Sequence, residues 1–190
     1  MVNTFMQLIN FKVYCFVNEF NLTELSQLSK NINIIYRNYK NPPNFKTISK
    51  LKEYCKKNGH KLYISNNFKL SIKFNLNGVY IPSFNKKINF VQNYSLPKNF
   101  NIIGSAHNRA EIHLKIRQRC NKIFLSPAFK VKKSKNFLGI TKFNFITLNH
   151  KVNFIALGGI NEKNYKMINL LNTNGFASIS WAKKNGLRKT

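Results

Sequence analysis

The sequence predicts an α/β protein, a compact (β/α)8 TIM barrel with some helices short or missing, and three observations predict it. Strand-like apolar runs recur along the chain with helix-like segments between them, a pattern that builds parallel βαβ units. Eight such runs can be placed, which favours a closed barrel over an open sheet. The length, 190 residues, suits one full hydrophobic core and falls short of two comfortable domains, so residues 1–190 read as a single barrel domain. That length is below the usual range for the fold, which is why several helices must be abbreviated.

The elements follow in order. Phe11–Val17 reads as the first strand, and Asn21-Leu-Thr-Glu24 has the N-x-x-E form of a helix start, with Leu22, Leu25 and Leu28 on one side. Ile32–Tyr36 is a second strand that ends at Arg37. Phe45–Gly59 predicts a helix, with Ile48, Leu51 and Cys55 at i, i+3 and i+7 and Gly59 as a left-handed stop. Lys61–Ser65 and Gly78–Ile81 are the third and fourth strands, the latter halted by Pro82. Asn101–Ser105 is the fifth, leading into the capped start Asn108-Arg-Ala-Glu111. Lys122–Leu125 and Val152–Leu157 are the sixth and seventh, a helix is expected over Asn161–Leu171, and Phe176–Ser180 is the eighth. Two segments conflict with the scheme. Phe68, Leu70, Ile72 and Phe74 alternate at period two, as do Phe143 and Phe145, which by itself says strand where the barrel needs helices.

Composition excludes several classes. The net charge of +27 suggests nucleic acid, yet the basic residues are spread along the whole chain and are mostly lysine, beside abundant Asn, Ile, Phe and Tyr. That joint enrichment is what an AT-rich coding bias produces, and no zinc-finger, RNA-binding or basic-zipper signature accompanies it, so no specific nucleic-acid partner is expected. The acidic residues are Glu19, Glu24, Glu53, Glu111 and Glu162; with no Asp anywhere, a paired-aspartate metal site and a Ser-His-Asp triad are both excluded. Cys15, Cys55 and Cys120 are far apart and read as buried free thiols of a reducing compartment. No apolar run of transmembrane length occurs, and Asn3, Gln7, Asn10 and Lys12 interrupt the first segment where a signal peptide would be continuous. A cytoplasmic protein with no membrane partner is the expectation.

Five segments in order resemble the thiamine-phosphate synthase/TenI family. They are Ile34-Ile-Tyr-Arg37; Leu62–Asn67 with Asn77–Pro82; Gly104-Ser-Ala-His-Asn108; Ile123-Phe-Leu-Ser-Pro-Ala-Phe129 running to Ser134-Lys135; and Ile155-Ala-Leu-Gly-Gly-Ile160 with Gly175–Ser180. The resemblance implies a (β/α)8 barrel in which each matched segment ends a strand, where barrel active sites lie. It implies phosphorylated small-molecule substrates. Synthases of the family join hydroxymethylpyrimidine diphosphate to a thiazole phosphate and release pyrophosphate, whereas TenI-type members are thiazole tautomerases. On this resemblance Gly158, Gly159 and Ser180 would hold the thiazole phosphate, because glycines let backbone amides approach phosphate oxygens and a following helix N-terminus adds positive potential. Arg37, Ser105 and Lys135 would hold the diphosphate, and Ser126 and Asn66 would border the substrates. His107 is expected beside the substrates, capping or supporting rather than acting as a base, and His60, His113 and His150, which match nothing, are expected on the surface.

The chain also departs from the family. The synthase pattern Gln-x-Arg-x-Lys reads Ile35, Arg37 and Tyr39, with Lys40 adjacent. The positions of the two Mg²⁺-binding aspartates carry Asn66 and Asn85, so Mg²⁺ is implied by the resemblance while its ligands have become neutral. The leaving pyrophosphate would then need Lys135, Lys132 or Lys133. The tautomerase histidine is replaced by Pro127. Three functions follow: a divergent thiamine-phosphate synthase; a tautomerase or non-catalytic barrel binding thiazole phosphate or thiamine phosphate; and a basic nucleic-acid-binding module. A homodimer is compatible with the fold, whose dimer contacts would be exposed helix faces carrying no motif.

Overall fold

The computed structural model describes residues 11–30, 32–41, 43–88, 92–132 and 136–178. Eight parallel strands close into a barrel in sequence order: β1 (Lys12–Val17), β2 (Asn33–Tyr36), β3 (Lys61–Ser65), β4 (Gly78–Ile81), β5 (Asn101–Ala106), β6 (Lys122–Leu125), β7 (Asn153–Leu157) and β8 (Gly175–Ser178), with β8 pairing back on β1. Among the described residues five α-helices pack outside: α1 (Leu22–Ser26), α2 (Phe45–Asn58), α3 (Phe68–Lys73), α4 (Arg109–Arg117) and α5 (Gly139–Thr147). Most are short, as the length requires.

Asparagine starts the helices. The side chains of Asn21, Asn44, Asn67 and Asn108 accept hydrogen bonds from the amides of Glu24, Thr47, Leu70 and Glu111, satisfying donors that a helix start otherwise leaves bare. Gly59 stops α2 in the left-handed conformation, at φ 73°. The alternating segments are helices after all. In α3, Phe68 and Ser71 are buried three residues apart; in α5, Phe143 is buried while Phe145 is exposed. The helix expected over Asn161–Leu171 is reduced to a 3-10 helix over Tyr165–Leu170, because Asn164 Oδ1 takes the Asn161 amide and Asn164 Nδ2 and Asn161 Nδ2 both donate to the Gly159 carbonyl, tying this stretch into turns.

Strand side chains alternate between the two faces of the barrel wall. Cys15, Ile34, Ile64, Ile81 and Ile123 face outward beneath the helices, while Tyr14, Ile35, Tyr63, Tyr80, Phe124 and Ile155 fill the interior. The interior is an aromatic plug. Tyr14 meets Phe124 edge-on at 5.0 Å, Phe16 meets Tyr80 at 5.3 Å, and Phe16 meets Phe124 at 5.8 Å between ring centroids. All three cysteines are buried thiols outside any disulfide, as expected. His60 is not on the surface: it is buried, with Nδ1 3.1 Å from the Ile32 carbonyl and its ring stacked on Tyr54. His113 is exposed and His150 half-buried.

Lys115 of α4 is wholly buried, and Gly104 makes the room: a Cβ at that position would lie 2.8 Å from the Lys115 side chain and from Cys120 Sγ. Its ammonium donates to the carbonyls of Pro82 and Asn85 and to Gln118 Oε1 at 2.8–2.9 Å, while Gln118 Nε2 donates to the carbonyls of Asn85 and Lys87. Burial pulls the lysine pKa down to about 8. These bonds pin the loop after β4. Lys115→Met is expected to cost about 3 kcal/mol, since it strands buried acceptors, and to loosen the loop; urea denaturation and hydrogen exchange at residues 82–87 check this.

Candidate active site

Arg37, Ser65, Ser105 and Ser126 each lie two residues beyond an inward-facing residue (Ile35, Tyr63, Ile103 and Phe124), so strand alternation places them on the interior face at the C-terminal mouth. Arg37 and Ser105 are brought together through Tyr80. The Arg37 guanidinium lies over the Phe16 ring at 4.3 Å and near Tyr39 at 5.7 Å. The Tyr80 hydroxyl donates to Ser105 Oγ at 3.0 Å. Burial pushes the Tyr80 phenol up to about 12, while the Ser105 bond and Arg37 pull the other way. The phenol therefore stays a neutral donor, held beneath a permanent cation that stacking on Phe16 fixes in place.

The loops after β6 and β7 dock on each other. Ala128 and Phe129 amides donate to the carbonyls of Leu157 and Gly158 at 2.8 and 3.1 Å, and the Ser126–Pro127 peptide is cis. Gly158 and Gly159 have φ 90° and 75°, a region that favours glycine. A Cβ on Gly159 would stand 2.3 Å from the Phe129 carbonyl oxygen. The glycine pair and Ser126 thus share one rim of the mouth. The helix N-terminus expected to follow the glycines is absent, because the chain runs through the Asn161–Asn164 turn before the 3-10 helix begins. Ser180, Lys133 and Lys135 lie outside the described residues, and Lys130 and Lys132 are exposed.

His107 has a capping role. Its amide and its Nδ1 both meet Glu111 Oε2, at 2.8 and 2.9 Å, in the first turn of α4. Asn66 and Asn85 meet directly: Asn85 Nδ2 donates to Asn66 Oδ1 at 2.5 Å. Asn66 holds a left-handed backbone, φ 58°. A cleft of about 510 Å³ beside the pair is bordered by Lys69, Lys86 and Lys87. Mg²⁺ requires charged oxygens in octahedral array, and two neutral amides bonded to each other in a lysine-rich cleft do not fit it. Among the described residues no three His, Cys, Asp or Glu side chains gather as metal ligands. Asn66 and Asn85 thus serve here as a direct strap between the loops after β3 and β4.

Sequence reasoning missed Tyr80, Phe16 and the lysines of the cleft as parts of the mouth, and noted Tyr39 only as a lost lysine. Tyr39 also accepts or donates a 3.2 Å bond with Ser65 and packs edge-on against Phe84. Tyr80 reads as one more apolar residue of a buried strand, and only closure of the barrel brings its hydroxyl to Ser105.

No helix among the described residues is long and apolar enough to cross a membrane. Residues 26–182 match the family described as thiamine monophosphate synthase. A thiamine-phosphate synthase of Prochlorococcus marinus is 29% identical over 152 residues, covering 77% of this chain and 43% of that protein. The chain thus spans less than half the length of this curated relative. Among solved structures, a thiamine phosphate pyrophosphorylase from Pyrococcus furiosus superposes with a TM-score of 0.75 at 16% identity, covering 93% of this chain and 90% of that one. N-(5'-phosphoribosyl)anthranilate isomerase from Pyrococcus furiosus superposes with a TM-score of 0.58 at 11% identity, covering 94% of this chain and 92% of that one. Likeness at these identities speaks to the fold, and the match over residues 26–182 speaks to ancestry: the chain belongs to the thiamine monophosphate synthase family.

Proposed function

We propose that this protein is a divergent thiamine-phosphate synthase that joins hydroxymethylpyrimidine diphosphate to thiazole phosphate without a bound metal. The convergence of Arg37, Tyr80 and Ser105 at the C-terminal mouth carries the proposal. In the reaction the bond between the pyrimidine methylene carbon and the diphosphate oxygen breaks, its electron pair leaving with pyrophosphate. The thiazole nitrogen lone pair forms the new C–N bond, and no proton need move. Arg37 and the Tyr80–Ser105 hydroxyls hold the diphosphate and stabilise the charge that develops on it, with Lys135 joining them from the loop after β6. One lysine contact at 4 Å is worth about 4 kcal/mol at an effective dielectric near 20, enough to supply part of what a metal would give. Gly158, Gly159 and Ser180 hold the thiazole phosphate, and Ser126 and Asn66 border the substrates. Three buried cysteines outside any disulfide support a reducing, cytoplasmic setting.

Purified protein incubated with both substrates is expected to form thiamine phosphate at a rate that a chelator changes by less than about twofold. Formation only with added Mg²⁺ overturns the metal-free step, and no product under either condition overturns the synthase. The Asn66–Asn85 bond favours a second reading, a barrel that binds thiazole phosphate without joining it to the pyrimidine. Calorimetry separates the two: tight thiazole-phosphate binding with no affinity for the pyrimidine diphosphate supports the second.

A further inference from the structure

The opposite end of the barrel carries a layer of its own. Lys12, Lys61 and Lys122 open β1, β3 and β6, and each stands two residues before an inward-facing aromatic (Tyr14, Tyr63 and Phe124), so all three share the interior face. Register interleaves them with neutral partners: Asn33 lies opposite Lys61, Asn153 opposite Lys122 and Gly175 opposite Lys12. The lysines converge on a cavity of about 170 Å³, and Lys12 and Lys122 also border an adjoining one of about 270 Å³. No carboxylate lines either cavity among the described residues.

A coding bias towards lysine accounts for scattered surface charge; it does not account for half-buried Lys122 sharing one hollow with the exposed Lys12 and Lys61 at its rim. Lys122 donates to Asn101 Oδ1, and its pKa is held down to about 8 by burial, then by the charges of Lys12 and Lys61. The floor of the cavity supplies an independent sign. Tyr14 and Tyr63 are each 1% exposed and line the cavity, yet neither hydroxyl has a hydrogen-bond partner among the described residues. Burial pushes both phenols above their ordinary range, Tyr63 to about 12, so both keep their protons. Three ammonium groups and two phenols, beside the amides of Asn33 and Asn101, make a small donor-rich space, complementary to a compact, multiply charged oxyanion. Both volumes fall below the roughly 300–1,000 Å³ of pockets for organic ligands.

We propose that the N-terminal end of the barrel is a second anion site, built by Lys12, Lys61, Lys122, Tyr14 and Tyr63 for inorganic phosphate or pyrophosphate and separate from the mouth that holds Arg37. The aromatic plug stands between the two ends. The site is independent of the synthase reaction and stands or falls separately from it.

The test is calorimetric titration of inorganic pyrophosphate and of phosphate into three proteins: the unaltered chain, Lys12→Ala/Lys61→Ala, and Arg37→Ala. Arg37→Ala is expected to keep one anion site, and Lys12→Ala/Lys61→Ala to weaken that site at least tenfold. Affinity is expected to fall about tenfold between pH 7 and pH 9.5. The bound anion favours the charged form of Lys122, so binding takes up a proton and weakens once free Lys122 loses its charge near pH 8. In phosphate-free buffer the lysine variant is expected to melt above the unaltered chain, because repulsion is relieved, and to gain nothing from pyrophosphate. Should it fail to fold, Tyr14→Phe/Tyr63→Phe, which keeps the rings and removes the hydroxyls, is expected to show the same loss of affinity. Identical isotherms for the unaltered chain and whichever bottom variant folds, or disappearance of all anion binding in Arg37→Ala, overturn the site.

Discussion

Gly159→Ala is expected to destabilise the protein by about 3 kcal/mol or more and to abolish thiazole-phosphate binding. Two costs add at this position. A left-handed backbone is strained for any residue with a Cβ, by about 1 kcal/mol or more. The new methyl would also press 2.3 Å from the Phe129 carbonyl oxygen, 2.5 Å from its carbonyl carbon and 2.7 Å from the Lys130 oxygen. These are backbone atoms of the docked loop after β6, which no rotamer change can move aside, so relief requires the two loops to part. Overpacking of this kind typically costs about 1–3 kcal/mol. Gly158→Ala is the internal control. Its φ is also positive, but its Cβ would meet Pro127 at 3.1–3.2 Å, a contact a small shift relieves. Urea denaturation should therefore rank Gly159→Ala well below Gly158→Ala, with both below the parent. Equal losses would mean that loop docking contributes nothing beyond backbone strain.

Arg37→Ala is expected to lower kcat/KM for the proposed synthase reaction about 10³-fold, some 4 kcal/mol of transition-state stabilisation, while leaving the thermal midpoint within a few degrees. The guanidinium is stacked on Phe16 at 4.3 Å and half-exposed at the mouth, so its loss removes little packing and a fixed positive charge. Arg37→Lys should recover only part of the rate, since an ammonium neither stacks as a plane nor presents a two-pronged donor. Tyr80→Phe should cost less, about tenfold, by deleting one hydroxyl while Ser105 remains. A rate within twofold of the parent for Arg37→Ala would remove the diphosphate from this end of the mouth.

The sequence pattern reveals the fold wherever local chemistry and tertiary packing agree. The starts at Asn21 and Asn108 are legible because the cap and the residues after it sit within one turn, and β3, β4 and β6 are legible as short apolar runs between breakers. Phe68–Phe74 misleads because a helix of six residues is too short for a period of 3.6 to separate from a period of two. Phe143 and Phe145 mislead because a phenylalanine 60% exposed imitates the inward partner of a strand pair. At the site, Arg37, Ser105 and the glycine pair are legible because strand ends of a barrel converge whatever lies between them. Tyr80 is not, and neither is Lys115, which reads as one more helix-surface lysine until Gly104 on β5 lets it lie flat against the wall. Lys12, Lys61 and Lys122 each look like an ordinary charged residue at the start of a strand; their shared hollow is a property of closure alone.

The interlocked rings of Tyr14, Phe16, Tyr80 and Phe124 have an optical consequence. Chromophores locked at fixed mutual angles in an asymmetric setting rotate near-ultraviolet light strongly, and lose that signal when packing melts even if the backbone stays folded. A near-ultraviolet dichroism scan therefore follows aromatic packing without a label, these four rings contributing beside the chain's other tyrosines and phenylalanines and its one tryptophan.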